Sequence, residues 1–322
     1  MTDPRPAHVQ DRDTGFRLTL VIVNWNGGGH LRRCVDSVIE HRGSCVDRIV
    51  VVDNGSTDGS LAACRREGVT IIESRENLGF AKACNIGARG AISEYLLFLN
   101  PDASIYDDTL ERAVACLADP TNADVGICGV QLIDPSGAVA RSCARFPTAT
   151  AFCLGALGLS RLFRSHGVLM EDWAHDETRD VDHVIGAFYL VRRELFESLG
   201  GFDERFFVYL EDLDFSWRAR QRGWRSRYLI DARASHVGGG ASSQVKDRRL
   251  FYALRSRLLY AFKHFGFVSR WTVLLLTILI EPFVRTAWAA ARFSVSTLRE
   301  TWKGYALLWR WLPRWAFEGE TR

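Results

Sequence analysis

Three observations in the first hundred residues predict an α/β fold on a mostly parallel sheet covered by helices on both faces. Short runs at 18–23, 49–52, 69–72 and 95–99 are apolar at consecutive positions and rich in β-branched residues, as strands buried on both faces are. Helix-forming segments alternate with them, the order that specifies a parallel sheet. The first, second and fourth strands end in polar clusters: Asn24 and Asn26, Asp53 to Asp58, and Asn100 to Asp102. In such sheets ligands gather beyond the carboxyl ends of the strands.

The first run stops at the turn-forming stretch Asn24-Trp25-Asn26-Gly27-Gly28-Gly29. Residues 30–40 then repeat apolar side chains at Leu31, Cys34, Val35 and Val38, one face of a helix. No G-x-G-x-x-G follows the first strand, which argues against an ordinary dinucleotide-binding unit. After the second strand Asp58 suits a cap, and a helix is expected over 59–67. A helix is also expected from 77 to about 91, after Asn77-Leu78-Gly79-Phe80. Asn100-Pro101-Asp102, taken alone, has the composition of a turn set by the fixed dihedral of proline. Further on, 125–133 reads as a strand, Asp134 to Gly137 as a hairpin-type turn and 139–142 as the returning strand. Residues 148–177 show no clear period and read as a mobile loop. A strand over 184–191 carries Gly186 and Ala187, where a ligand has room to approach. Residues 192–199 read as a short helix ended by Gly200-Gly201.

With 322 residues and 47% apolar content, the chain has material for one large core or two modest ones. A net charge of +3 is too small to imply nucleic-acid binding, but its distribution is uneven. Residues 245–322 hold fourteen Lys and Arg against five Asp and Glu, and six of the ten tryptophans. Within this tail 250–265 is a basic, aromatic helix. The apolar run 271–280 ends at Glu281-Pro282, short of the roughly twenty residues of a spanning helix. Residues 304–315 alternate rings and cations, which suits a helix in the headgroup layer of a membrane; helices packed on the rest of the chain, or an oligomer contact, would use the same composition. The eight cysteines form no C-x-x-C pair and read as reduced thiols of a cytosolic protein. The polar first sixteen residues contain no signal-peptide core and are expected to be disordered.

The chemistry-bearing stretch is Phe207-Val208-Tyr209-Leu210-Glu211-Asp212-Leu213-Asp214, after Gly200-Gly201-Phe202-Asp203-Glu204. An apolar run delivers a carboxylate cluster to the start of a helix. Such a carboxylate either caps the helix or acts as a proton acceptor fixed in a closed pocket.

In ordered combination, four amino-terminal stretches and two later ones resemble the family 2 glycosyltransferases, in their rhamnosyltransferase-like branch. The stretches are Val21 to Gly27, Val51 to Asp58, Asn77 to Ala81 with Asn85, Leu97 to Ala103, the acidic stretch just described, and Ser235-His236. The resemblance covers about residues 18–265. It implies a GT-A fold for 17–245, with a nucleotide-binding half (17–103) and an acceptor half (104–245), and a helical, membrane-associating extension over 246–322. The implied reaction moves a sugar from a nucleotide diphosphate donor, with inversion, to a glycan or polyprenyl-linked glycan in cell-surface polysaccharide synthesis. dTDP-L-rhamnose is the favoured donor. Where the family usually has Asp-x-Asp this chain has Asn100-Pro101-Asp102, leaving Asp102, with His236, to hold Mg²⁺ or Mn²⁺. Asp53 is matched to the donor base, with Asn24, Asn26, Asn54, Gly79, Lys82, Asn85 and Asn100 around the nucleotide. Gly186, Ala187 and Glu211 fall to the acceptor or donor-sugar pocket, and Asp212 to the general base. The implied place is the cytoplasmic face of the inner membrane, peripherally bound. Two rival readings remain: a non-catalytic sugar-binding module on the same fold, and a nucleotidyltransferase. The intact Asp102, Asp212 and His236 argue against the first. Gly27-Gly28-Gly29-His30 is a poor activating loop for the second.

Overall fold

The computed structural model describes residues 15, 17–160, 162, 163, 165, 167–239, 246–319 and 321. The expected amino-terminal disorder and most of the Gly- and Ser-rich stretch after His236 lie outside the described residues. The expected strands form as β1 (Leu18–Asn24), β2 (Val46–Asp53), β3 (Val69–Glu73) and β4 (Tyr95–Leu99). Between them stand α1 (Gly28–His41) and α2 (Phe80–Ala88). The chain continues through β5 (Ala103–Ile105), α3 (Thr109–Ala118), β6 (Val125–Ile133), β7 (Cys143–Ala144) and α4 (Ala149–Ala156). Then come β8 (Arg179–Val181), β9 (His183–Val184), β10 (Phe188–Arg192), α5 (Arg193–Ser198), α6 (Glu211–Gln221) and β11 (Arg225–His236).

One sheet runs β3-β2-β1-β4-β10-β6-β11-β5, with β8 also paired on β11. Its β3-β2-β1-β4 half is parallel, and β10 runs against both neighbours. The period-two alternation of β1 divides the core. Leu18, Leu20 and Ile22 pack with Leu31, Val35 and Val38 of α1 and with Leu110 and Val114 of α3. Val21 and Val23 pack on the other face with Ala81 and Cys84 of α2, and with Phe202 and Phe215.

Several local expectations are corrected. Residues 59–67 form only a 3₁₀ turn, Ser60–Cys64, because Ser60 is tied back to Asp58 through its N–H (3.0 Å) and hydroxyl (2.6 Å) after a left-handed Gly59. No strand follows the turn at 134–137: Ile133 and Val139 make a single bridge. β11 takes one edge of β6 as far as Ile133 and β10 the other only at Cys128 and Ile127; on that second edge the returning chain touches β6 only near its end, where Ala140 N–H donates to the Leu132 carbonyl (2.8 Å). The chain instead pairs β7 with β9 in a small separate sheet. Thr148 caps α4 by accepting from the Ala151 N–H (3.1 Å), giving a helix inside the segment read as a mobile loop. The strand expected over 184–191 is broken at Gly186. The sequence reading passed over β5, α3 and β11 altogether.

Beyond residue 245 lie α7 (Lys246–His264), α8 (Phe267–Leu275), α9 (Glu281–Ala291) and α10 (Val295–Glu318). Glu281-Pro282 does not end the apolar helix. A π-helical turn, Leu276–Ile280, joins α8 to α9, so helix runs from Phe267 to Ala291, 25 residues, long and apolar enough to cross a membrane by length and composition. A π turn offers a place for the missing proline N–H. Glu281 is buried against Arg257 of α7 and Arg285. Leu254, Leu258, Val273, Tyr305, Leu308 and Trp311 pack around Phe206 and Leu213, so the extension is built onto the start of α6.

Candidate active site

A cleft of 620 Å³ opens at the carboxyl ends of β1, β2 and β4. Trp25 and His30 border it from the first loop, and Asn54 and Asn77 from the next two. Asn100, Pro101 and Asp102 supply the end of β4, and Phe207 to Tyr209 the far wall. His236, at the end of β11, and Arg248, Arg249 and Tyr252 of α7 complete the lining.

The sheet explains why Asp102 and His236 meet, though 134 positions separate them in sequence. Residue 103 of β5 is paired with residue 236 of β11, and Val237 N–H donates to the Asp102 carbonyl (3.1 Å). Asp102 Oδ1 thereby lies 3.3 Å from His236 Nε2. Asn54 shapes the neighbouring wall. It donates to Asn77 Oδ1 (2.9 Å) and accepts from Leu78 N–H (2.8 Å), bridging the loops after β2 and β3.

Other sequence-nominated residues stand behind this wall. Asn24 is buried; its amide donates to Asp53 Oδ1 and Ser60 Oγ (both 2.9 Å), while its Oδ1 accepts from Gly27 N–H. Asp53 also accepts from Ser56 N–H (3.1 Å), and Asn26 Oδ1 from Thr57 N–H (2.8 Å). These groups fix the shape of the first two loops and do not line the cleft. Gly79 meets protein: a Cβ there would lie 2.5 Å from the Phe207 carbonyl oxygen, and φ is +83°. Phe80 N–H donates to that same carbonyl (2.6 Å). Asn85 tethers the 200–204 loop by donating to the Phe202 carbonyl (2.9 Å) and accepting from its N–H (2.9 Å). Lys82 is half-buried on α2 and does not border the cleft.

The acidic cluster resolves into three environments. Asp214 is fully buried, paired with Arg218 (2.8 Å), Lys263 (2.6 Å) and His264 (2.7 Å). Burial opposes its charge, but these partners outweigh it and hold the carboxyl below the usual range. Glu211 is buried with Oε2 unpartnered. Burial first, then the charge on Asp212, pushes its acid well above the usual range. Asp212 sits between these extremes. Its Oδ2 accepts from Gly186 N–H (2.7 Å) and lies 3.4 Å from His183 Nε2, while Oδ1 accepts from Leu213 N–H (2.8 Å). Burial works against ionisation, yet His183 and the two backbone donors prevail and the carboxyl is held below the ordinary value.

Asp212 does not line the cleft itself but stands at the same end of the sheet. Gly186 gives its N–H to Asp212, and the next carbonyl, Ala187, accepts from Asn100 N–H (3.0 Å). Residue 188 is then paired with residue 99 in the β10–β4 ladder. The break in the strand thus sets one carboxylate beside the loop that carries the other. Sequence reasoning missed His183, Arg248, Arg249 and Tyr252. The cationic, aromatic composition around 248–252 was its only signal, and it was read for a membrane.

The model of glycosyl transferase family 2 matches residues 19–200. An N-acetylglucosaminyl-diphospho-decaprenol L-rhamnosyltransferase of Mycobacterium tuberculosis is 28% identical over 288 residues, covering 80% of this chain and 89% of its own. A low-salt glycan biosynthesis hexosyltransferase of Haloferax volcanii is 27% identical over 210 residues, 63% of this chain and 62% of its own. Among solved structures, a mannosyltransferase of Pyrobaculum calidifontis in complex with GDP-Man and Mn²⁺ superposes with a TM-score of 0.53 at 21% identity, over 94% of this chain and 88% of that one. These likenesses establish the GT-A fold.

A Cβ at position 186 would lie 2.8 Å from Asp212 Oδ2, the movable end of a side chain. Gly186→Ala is therefore expected to leave the melting temperature within a few degrees of wild type while lowering turnover about 100-fold, the cost of an ångström-scale misplacement. Steady-state kinetics beside thermal denaturation checks this; unchanged turnover would detach Gly186 from the chemistry.

Proposed function

The chain belongs to glycosyl transferase family 2, within its rhamnosyltransferase-like branch, and from that premise we propose an inverting transfer of L-rhamnose from dTDP-L-rhamnose to a polyprenyl-linked glycan. The observation that carries the mechanism is the pairing across one strand break. Asp102 and His236 stand in the cleft, and Asp212, held ionised, stands two hydrogen bonds from Asn100, through Gly186 and Ala187. In the proposed step the acceptor hydroxyl gives its proton to Asp212 as its oxygen bonds to the anomeric carbon. The bond from that carbon to the diphosphate oxygen breaks, and the nucleoside diphosphate leaves from the opposite face. Glu211, whose acid burial pushes upward, stands next to the base in the first turn of α6. Arg248 and Arg249 bring positive charge to the cleft wall where a diphosphate would lie.

One carboxylate and one imidazole 3.3 Å apart fit a divalent cation that takes the rest of its shell from diphosphate and water. Among the described residues no cluster of three or more metal-binding side chains competes for that role. Asp102 and His236 would hold the ion, which when bound offsets the charge gathering on the departing diphosphate. The Pyrobaculum relative contains Mn²⁺, which supports Mn²⁺ or Mg²⁺ here.

The acceptor named for the M. tuberculosis relative is lipid-linked. Phe267, Val268, Leu275, Leu279 and Phe283 are exposed along the carboxy-terminal helices, and Phe293 in the turn between α9 and α10. With the basic residues of that tail they suit an anionic membrane surface, the cytoplasmic face of the inner membrane.

Asp212→Asn is expected to lower transfer at least about 1,000-fold while leaving donor affinity within about twofold, as loss of a general base does. Isothermal titration beside product assays checks this, and near-wild-type turnover would remove Asp212 as the base. Chelation by EDTA should abolish transfer, and Mn²⁺ or Mg²⁺ should restore it; full activity after exhaustive chelation would defeat the metal assignment. Replacing Phe267, Phe283 and Phe293 together with Ser is expected to reduce co-sedimentation with anionic vesicles about tenfold or more, given the apolar area withdrawn. Undiminished co-sedimentation would rule out this face as the membrane contact.

A further inference from the structure

We infer that His183 is a positioning residue for Asp212, holding its carboxylate in one orientation and in the ionised state. The inference rests on the reading of Asp212 as the base. His183 belongs to β9, which is anchored to β7 through the pair formed by residues 144 and 183. Its side chain is 3% exposed, so its polar atoms must find partners inside the protein.

They find them at both ends of the ring. Nε2 lies 3.4 Å from Asp212 Oδ2, and Nδ1 lies 2.9 Å from Ser216 Oγ. Ser216 follows Asp212 by one turn of α6, so both side chains occupy the same helix face. Ser216 Oγ is in turn 2.8 Å from the Tyr189 hydroxyl, which reaches the backbone carbonyl of Asp212 at 3.3 Å. The chain of bonds closes on the residue where it began.

This ring of contacts can be satisfied with its protons running either way. With a neutral imidazole protonated on Nε2, Tyr189 donates to Ser216, Ser216 to Nδ1, and Nε2–H points to Asp212. With an imidazolium, Nδ1–H donates to Ser216, Ser216 to Tyr189, and Tyr189 to the Asp212 carbonyl. Neither protonation state leaves a buried group orphaned, so a cation beside Asp212 costs no hydrogen bond. With Oδ2 held from two sides, by Gly186 and His183, Oδ1 is the oxygen with more spare acceptor capacity for a hydroxyl proton.

The other titratable groups packed around this pair are held by partners of their own or pushed away from their ordinary values. From α6, burial and the charge on Asp212 push the Glu211 acid upward, and Asp214 is paired with Arg218, Lys263 and His264. Burial pushes the Cys84 thiol of α2 and the Tyr189 hydroxyl of β10 well above their ordinary values. Arg218 is committed to Asp214 and to the carbonyls of Leu199 and Gly201.

The sign of the pH effect follows. Transfer needs Asp212 ionised, and His183 favours that form. Without the imidazole, burial prevails, the carboxyl titrates higher, and the acidic limb of kcat moves to higher pH. In the full chain, H183F is expected to lower kcat about 10- to 100-fold with KM for both substrates within about twofold. Its acidic limb should lie about one unit higher. H183Q, whose amide can donate to Oδ2 but carries no charge, should recover most of the kcat loss while its limb stays displaced. A limb at the wild-type pH in both variants, with kcat falling alike in each, would make His183 a packing residue and overturn the inference. Should H183F not fold, the limb of H183Q alone decides: displaced supports the inference, and unmoved overturns it. Failure of the base reading is seen separately, as normal turnover by D212N.

Discussion

The site depends on a strand that is not allowed to be continuous. Between β9 and β10 the strand is interrupted for three residues, where the Gly186 N–H donates to Asp212 and the Ala187 carbonyl accepts from Asn100 N–H. The Ala187 carbonyl continues the β10–β4 register, 187 opposite 100, whereas the Gly186 N–H, which a continuous strand would have spent on a neighbour, goes to a side chain. Through these two bonds the first turn of α6 is fastened to the tip of β4. Only glycine leaves room for the carboxylate so near the main chain. The electrostatic consequence is that a carboxylate in a low-dielectric setting stays charged, because backbone dipoles and an imidazole face it.

The parallel half of the sheet was legible because β1, β4 and the second half of β2 are buried on both faces and so apolar at nearly every position, while the part-exposed edge strand β3 keeps a β-branched run. β1 and β2 match their expected ranges to within a few residues at either end. Legibility fell where tertiary pairing decides. The segment 139–142 has the composition of a strand, but it meets β6 only at Ile133 and Leu132 before the chain turns to pair residues 143 and 144 with β9. Pro282 was read as a stop, and a π turn let the helix pass. α4 buries only Phe152 and Ala156, too little of a stripe to show as a period.

Within the site, motif and role separated in an orderly way. Asn54, Asn100, Asp102 and His236 come together around the cleft, as the motifs suggested. Asn24, Asp53 and Asn85 are as firmly placed, but their hydrogen bonds go to the loops themselves, so they build the wall instead of lining it. No pattern marked His183, since a histidine between two short strands looks the same whether it packs or orients a base. The contribution of α7 was hidden for another reason: a tail rich in Arg and Trp invites a membrane reading, and Arg248, Arg249 and Tyr252 border the cleft all the same.

Tyr209 and Leu210 both adopt left-handed backbone angles, φ +71° and +67°, immediately before the acidic turn. Two such non-glycine residues in succession cost on the order of 2–4 kcal/mol together and persist only under external restraint. That restraint comes from the extension: Ser256 of α7 donates to the Val208 carbonyl (2.8 Å), and Leu213 is enclosed by the carboxy-terminal helices. Trimming those helices to obtain a more tractable protein would let this wound spring uncoil. The shortened chain would keep its sheet and lose the aim of its carboxylate, so the carboxy-terminal helices and the acidic turn are inherited as one piece.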